Sequence, residues 1–204
     1  MTKRQSVPSN NPSGRPRSSK VTESIHASIW KLIDKSSYGD LTMESIAEKA
    51  GVSRTALYRR YPDVGQAVLG ALLAVGASTL SMSLSRDIHT DLQRYFEAII
   101  ASLQPNQPIG KALRGVLAHA LLRESFVPEF AEFIAKRREP VRMRLLTWKT
   151  NLPEGKTEIA LDYLFGPVLY RMLIRQVPVS TEYLRFLIKE VLRFLAPESV
   201  SRDS

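Results

Sequence analysis

LTMESIAEKAGVSRTALYRRYP, at Leu41–Pro62, is the most informative stretch of this 204-residue chain. It predicts two short helices joined by a tight turn at Gly51. Thr42 and Ser53 are good N-caps for them, and glycine accepts the left-handed backbone of a helix end. The second helix carries Arg54, Thr55, Tyr58, Arg59 and Arg60. This pattern is typical of a helix-turn-helix, whose second helix fits the major groove of DNA.

The charge of the chain is concentrated around this stretch. Residues 1–62 contain eleven Lys/Arg and five Asp/Glu, an excess of six positive charges, whereas the remaining residues carry an excess of three. A basic segment attracts polyanions, of which nucleic acid is the commonest. The alternative is a surface bias that only aids solubility. The charge favours DNA binding because it coincides with the helix-turn-helix pattern.

The remainder of the chain predicts an all-α fold. Residues 1–19 are rich in Ser, Pro, Asn and basic side chains, which predicts a flexible arm. Apolar periodicity places the first helix at about Val21 to Lys35 and starts the fourth at Asp63, continuing toward Leu84. Further helices follow to about residue 195. The predicted domains are the arm (1–19), a helix-turn-helix domain (20–66) and a helical ligand-binding and dimerisation domain (67–204).

Catalysis and membrane insertion find no support in the sequence. The chain has no cysteine, and His26, His89 and His119 lack metal-ligand spacing. Without a glycine-rich phosphate loop or a Gly-x-Ser-x-Gly turn, nothing favours an enzyme, and no cofactor is expected. The longest apolar run, Ala67–Ala77, is shorter than the ~20 residues that span a bilayer. We expect a cytoplasmic protein with no membrane partner.

The residues SIAEKAGVSRTALYRRYP resemble the DNA-binding signature of the TetR family of transcription regulators. GRPR at Gly14–Arg17 and GPVLYRML at Gly166–Leu173 are also similar to that family, although the resemblance is dense only over about residues 14–70. The resemblance implies a helix-turn-helix domain followed by a helical bundle that binds an effector and dimerises. It further implies a repressor that binds a palindromic operator in double-stranded DNA as a homodimer and is released by a small molecule.

Several DNA-contacting residues follow from the resemblance, by position. Thr42 is expected to bind a phosphate, the first turn of the second helix to face the groove, and the basic arm to enter a minor groove or follow phosphates. For Tyr58 the alternative is core packing. Many family members have a lysine where this chain has Val64, which removes one expected phosphate contact. The expected DNA-binding residues are Arg15, Arg17, Lys20, Thr42, Ser53, Arg54, Thr55, Ala56, Tyr58, Arg59 and Arg60.

The last two helices are predicted to hold the dimer interface, because the segment 159–175 is apolar nearly all round and the next helix has a wide apolar stripe. The alternative is a buried central helix in a monomer. The expected interface residues are Gly166, Tyr183, Leu184, Leu187, Ile188 and Val191. An apolar or aromatic effector is expected inside the bundle, with candidate contacts Phe96, His119, Phe126, Trp148, Tyr163 and Tyr170. The rival hypothesis is an architectural DNA-binding protein without an effector.

Overall fold

The computed structural model describes residues 15–79, 82 and 84–196, and for residues 15–18 and 76–79 it describes the backbone alone. These residues form helices and turns without any strand, which confirms the all-α prediction. The helices are α1 (Arg15–Lys35), α2 (Met43–Ala50), α3 (Arg54–Tyr58), α4 (Val64–Thr79), α5 (Ile88–Ser102), α6 (Pro108–Leu122), α7 (Val127–Trp148), α8 (Glu154–Leu169) and α9 (Thr181–Leu195). Short 3-10 turns lie at Tyr38–Asp40 and Glu124–Phe126.

The start of α1 and the ends of α3 and α4 differ from the predicted helix bounds. Helix α1 begins at Arg15, so residues 15–19 of the predicted arm are helical, while residues 1–14 lie outside the described residues. Helix α4 ends at Thr79, and Leu84, toward which it was expected to continue, is not helical. Its start agrees with the sequence, because the Asp63 side chain accepts a hydrogen bond from the Gln66 amide at 2.9 Å.

The N-terminal helices pack around a small apolar centre. Helix α1 contacts α2 and α4 and buries Ile25, Ile29 and Ile33 completely. Their spacing of four residues puts these side chains on one face of α1. Helix α3 packs against α2 through Leu57, which is also fully buried. The opposite sides of α2 and α3 therefore remain available to solvent.

Helix α4 connects this centre to the larger bundle. It contacts α1 in the N-terminal part and α6 and α7 in the bundle, where α5 and α8 both pack on α9. One continuous cluster of buried apolar side chains extends from α1 to α9. A displacement of α4 relative to the bundle would therefore move the helix-turn-helix with it.

Candidate functional site

The turn between α2 and α3 has the geometry of a helix-turn-helix. Gly51 ends α2 with φ 66° and ψ 33°, in the left-handed region where a side chain is strained. Its amide donates to the Glu48 carbonyl at 3.1 Å, and the Val52 amide donates to the Ala47 carbonyl at 3.0 Å. These bonds close α2 and fix the direction in which α3 starts.

Helix α3 is short and exposes the side expected to face DNA. The Ser53 hydroxyl caps the helix by accepting from the Ala56 amide at 3.1 Å. Ser53, Arg54 and Thr55 are exposed and Ala56 is half-buried, while Leu57 on the inner side is buried. The four residues predicted to face the groove thus lie together around the exposed first turn.

Helix α3 ends at Tyr58, so Arg59 and Arg60, which the sequence placed on the helix, lie in the turn that follows it. The basic side chains of α3 and of this turn differ in how firmly they are held. Arg54 has 67% of its side chain exposed and reaches back to Glu44 on α2, with Nη1 and Oε1 3.1 Å apart. Arg60 donates from Nη1 to the Ala56 carbonyl at 2.9 Å, whereas Arg59 is exposed. Tyr58 is 48% exposed, which fits the DNA-facing interpretation of this side chain better than the core interpretation.

The remaining predicted DNA contacts lie on α1 and at the start of α2. Thr42 is exposed and caps α2 by accepting from the Ser45 amide at 3.0 Å, which places its hydroxyl beside the positive end of the helix. Lys20 is exposed on α1. Arg15 and Arg17 belong to the first turns of α1, of which the backbone alone is described. Val64 is half-buried at the start of α4.

A contact between Tyr61 and His26 connects the segment after α3 to α1. The Tyr61 hydroxyl and His26 Nε2 are 2.7 Å apart, and a Cβ added to Gly70 would lie 2.8 Å from the Tyr61 ring. Burial lowers the pKa of His26 and raises the pKa of Tyr61. Burial thus favours the neutral form of both side chains, and the phenol and the imidazole share one hydrogen bond.

The helix-turn-helix meets the bundle at a close junction. A Cβ added to Gly65 on α4 would lie 2.5 Å from the His119 ring, and His119 Nε2 lies 3.4 Å from Asp63 Oδ2. On the other side, a Cβ at Gly115 would lie 2.0 Å from the Tyr38 ring. Burial, together with the Asp63 carboxylate, raises the pKa of Tyr38 to about 12. Helix α6 thus contacts the N-terminal helices at two places, near Tyr38 and near Gly65. The sequence analysis did not identify Tyr38 and Gly115 as residues of this junction.

A mainly apolar cavity of about 490 Å³ lies in the bundle between α4, α5, α6, α7 and α8. Its volume is in the range of small-molecule sites. Its polar groups include Arg137, Arg138, Asp162 and Ser102. The remaining walls are Leu72, Val75, Ala98, Ile99, Leu103, Ile109, Leu113, Phe133, Ile134, Phe165, Gly166 and Leu169.

The six predicted effector contacts lie around this cavity and do not line it. Phe96 is buried behind the wall, 4.9 Å from the Phe165 ring between centroids. His119 and Phe126 pack edge to face at the junction with α4. Trp148, Tyr163 and Tyr170 are exposed at the surface of the chain. Most of the side chains that form the cavity walls are aliphatic, whereas the predicted contacts were aromatic side chains and a histidine.

The predicted interface residues divide into two groups. Leu184, Ile188 and Val191 are each 1% exposed inside a single chain, which leaves them no surface for a partner. Gly166 is exposed, and Tyr183 and Leu187 are half-buried. This placement revises the prediction, because the strongly apolar face of α9 packs on its own bundle. The large apolar side chains left exposed on α8, on the turn Tyr170–Ile174 after it and on α9 are Ile159, Tyr163, Tyr170, Ile174, Phe186 and Phe194.

The described residues hold neither a metal site nor a membrane span. In that part of the chain, no three His, Asp or Glu side chains come together in a way that could hold a metal ion. None of its helices is long and apolar enough to cross a membrane.

Two family models match the chain. The model described as "Bacterial regulatory proteins, tetR family" matches residues 25–63, and "Tetracyclin repressor-like, C-terminal domain" matches residues 85–191. The first contains α2, the turn and α3, and the second contains most of the bundle. These matches define a DNA-binding transcription regulator of the helix-turn-helix class, and not an enzyme. The chain belongs to the TetR family.

Individual relatives agree with this assignment. The chain is 21% identical over 197 residues to the uncharacterized HTH-type transcriptional regulator YdeS of Bacillus subtilis (strain 168), covering 93% of this chain and 97% of YdeS. It is similar to the crystal structure of the TetR family transcription regulator SCO0332, with TM-score 0.72, 25% identity, and coverage of 87% of this chain and 100% of the other. The multidrug binding protein EbrR, complexed with imidazole, shares the fold at TM-score 0.57 and 17% identity, with coverage of 89% and 98%.

Proposed function

We propose that the protein is a repressor that binds a palindromic operator as a homodimer and leaves it when a small apolar molecule enters the bundle cavity. The observation that carries the proposal is the exposed first turn of α3, capped by Ser53 and carrying Arg54, on a helix-turn-helix held rigid by Leu57 and Gly51. A helix presented in this way reads base edges with its N-terminal residues. Because its target is the chromosome of a bacterium, we place it in the cytoplasm.

Homodimerisation is supported by the apolar surface of α8 and α9. Ile159, Tyr163, Gly166 and Tyr170 follow one another at intervals of four, three and four residues and share one exposed side of α8. Phe194 of α9 adjoins this side, with its ring centroid 5.9 Å from that of Tyr163. Exposed aromatic patches of this kind mark protein interfaces. Two copies related by a two-fold axis would present two α3 helices to successive major grooves.

Helix α4 supports the proposed coupling between ligand binding in the cavity and DNA binding by α3. Leu72 and Val75 of α4 line the cavity, and the same helix begins at Val64, directly after α3 and its turn. A ligand that binds one position of α4 better than another shifts the population of the two states. We propose that, when α4 is in its ligand-bound position, the distance between the two α3 helices of the dimer no longer matches the operator.

Mapping of bound chromosomal sites, followed by affinity measurements on the recovered duplex, tests the proposal. We expect an inverted repeat whose half-site centres are about 34 Å apart, bound at least ~10³-fold tighter than random DNA. Affinity should also fall by ~0.9 log units per log unit of salt for each phosphate neutralised. Equal affinity for random duplexes would instead favour the architectural DNA-binding hypothesis.

A further inference from the structure

We propose that the bundle cavity is selective for small organic acids, with an alkyl or aromatic body in the apolar part and a carboxylate paired with Arg137. This inference rests on the proposed function, since it specifies the chemical class of the effector. The carrying observation is a half-buried guanidinium in the cavity wall that has no counter-ion within the described part of the chain.

Arg137 is held in place by the cavity walls. Its Nη2 donates to the Leu72 carbonyl at 2.8 Å, and its Cζ lies 5.0 Å from the centroid of the Phe133 ring. Both partners line the cavity. A guanidinium has five N–H donors, of which the bond to Leu72 uses one. Burial lowers the pKa of Arg137, although an arginine keeps its proton near neutral pH.

The neighbouring Arg138 lies in the same cavity wall, but acidic side chains neutralise its charge. Arg138 Nη2 lies 2.9 Å from Asp162 Oδ1 and 3.1 Å from Glu158 Oε2. Glu158 also pairs with Arg142. For Arg137, no Asp or Glu oxygen of the described residues lies within the 4.0 Å that defines an ion pair. The local excess of positive charge at the cavity is therefore that of Arg137.

This arrangement selects a ligand by charge as well as by shape. A desolvated cation without a counter-ion is costly, and a ligand carboxylate would offset that cost with charge-assisted hydrogen bonds. A cationic ligand would meet a like charge in a medium of low dielectric constant. The aliphatic side chains Ile99, Leu103 and Ile134 give most of the ligand an apolar surface. The fitting molecule is therefore mainly apolar and carries one anionic group.

Calorimetric titration of the full chain at pH 7.5 with matched probes tests this selectivity. The probes are decanoate with decanamide and decylammonium, and 2-naphthoate with 2-naphthamide. A charge-assisted hydrogen bond predicts that the better-fitting acid binds roughly 10- to 100-fold tighter than its own amide, with decylammonium weaker still. Amides that bind as tightly as their acids, or failure of both acids to bind, would overturn the proposal.

Variants assign the selectivity to one side chain. Arg137→Met should bring acid and amide affinities together while the amide still binds, which also shows that the cavity is folded. Arg137→Lys, which keeps the charge without the planar fork, should retain part of the preference. The control Arg142→Met, which removes a paired arginine that does not line the cavity, should leave the preference unchanged. An acid preference that survives Arg137→Met contradicts the proposal.

Fluorescence anisotropy of labelled operator separates this inference from the proposed function. If acids bind through Arg137 and the DNA stays bound, the selectivity stands and release by an effector is wrong. If acid and amide release the operator at equal concentrations, the effector role stands and the selectivity for acids is wrong.

Discussion

Arg54 is the side chain on which sequence-specific binding is expected to depend most. It is exposed in the first turn of α3, and its contact with Glu44 is a surface ion pair worth little to stability. The guanidinium can therefore exchange Glu44 for a base edge at small cost. Arginine donates two hydrogen bonds to guanine, a pattern that the other base pairs do not offer in the major groove.

Arg54→Ala should weaken binding to the recovered operator by about 1–3 kcal/mol and relax the preference at one base pair. Fluorescence anisotropy on operator and on random duplex measures both effects. Lys189→Ala removes an exposed cation from α9 and is the matched control, with no change expected in the ratio of the two affinities. A loss of the same size on random DNA would show that Arg54 contacts phosphate and does not read bases.

Gly115 is a point of close approach between α6 and the N-terminal helices. Its missing side chain makes room for the Tyr38 ring, and an added methyl would lie 2.0 Å from that ring. Tyr38 packs between α6 and the N-terminal helices, so the junction must shift if the added methyl is to avoid the Tyr38 ring. Overpacking of this kind costs about 1–3 kcal/mol.

Gly115→Ala should therefore lower the free energy of unfolding by about that amount in urea titrations. Gly155→Ala provides the control, because Gly155 is exposed in α8 and an added Cβ meets nothing within 4 Å. Higher helix propensity should leave that variant unchanged or stabilise it by up to ~1 kcal/mol. Equal stability of the two variants would contradict the close packing of Tyr38 on Gly115.

At the scale of the helix, the sequence predicts the bounds correctly where a capping residue determines them. Thr42, Gly51 and Ser53 predicted α2 and the start of α3 correctly because each acts on backbone groups within a few residues. The end of α8 had no such signal. After Pro167, which lacks an amide hydrogen, the helix changes at Tyr170–Ile174 to a π-helical turn closed by the Arg175 amide and the Tyr170 carbonyl at 2.9 Å.

The cavity and the interface depend on long-range packing, which apolar periodicity does not specify. Apolar periodicity can indicate which side of a helix faces inward, as it does in α5 for Leu92 and Phe96, four residues apart and both buried. It gives no information on where five helices leave a gap between them. For the same reason it identified the apolar stripe of α9 through Leu184 and Ile188 but did not show that this stripe faces the chain's own α5 and α8.

A buried ion pair fixes the segment before α5 to α7. Arg144 Nε lies 2.6 Å from Asp91 Oδ2, with 6% and 0% of the two side chains exposed. Arg144 also donates to the Ser85 carbonyl at 3.3 Å, and the Ser85 amide donates to Asp91. Burial acts to raise the pKa of Asp91, but the hydrogen bonds from Ser85 and Arg144 outweigh it, and the net shift is downward.

A carboxyl whose pKa is lowered by folding contributes stability above its unfolded pKa, about 3.9, and loses it as the pH falls through the folded pKa. Asp91→Asn should therefore be clearly less stable than wild type at pH 7, with a difference that narrows below about pH 4. Urea unfolding at several pH values measures this. Asp34→Asn, an exposed carboxyl on α1, is the control. A difference that stays constant down to pH 2.5 would contradict the assigned role of Asp91.

At the scale of the whole molecule, the proposed function links DNA binding to assembly. If one α3 helix covers one half-site, the operator affinity should depend on a second helix held at a fixed distance. The exposed aromatic side chains of α8 and α9 are the surface that we propose for this contact. Tyr163 is 54% exposed and Phe186 is 64% exposed, so both rings are available to a second copy of the chain.

The double variant Tyr163→Glu with Phe186→Glu places one charge on α8 and one on α9 within this surface. It should convert the protein to a monomer in sedimentation experiments, because an unpaired charge at an interface is costly to desolvate. Affinity for the palindrome should fall by roughly 10²- to 10⁴-fold, with binding to a single half-site unchanged. Leu121→Glu with Leu122→Glu is the matched control, since these leucines of α6 are 76% and 85% exposed away from α8 and α9. If the control dissociates and the Tyr163 and Phe186 variant remains a dimer, the two copies meet through α6, and the separation expected between the two α3 helices changes with it.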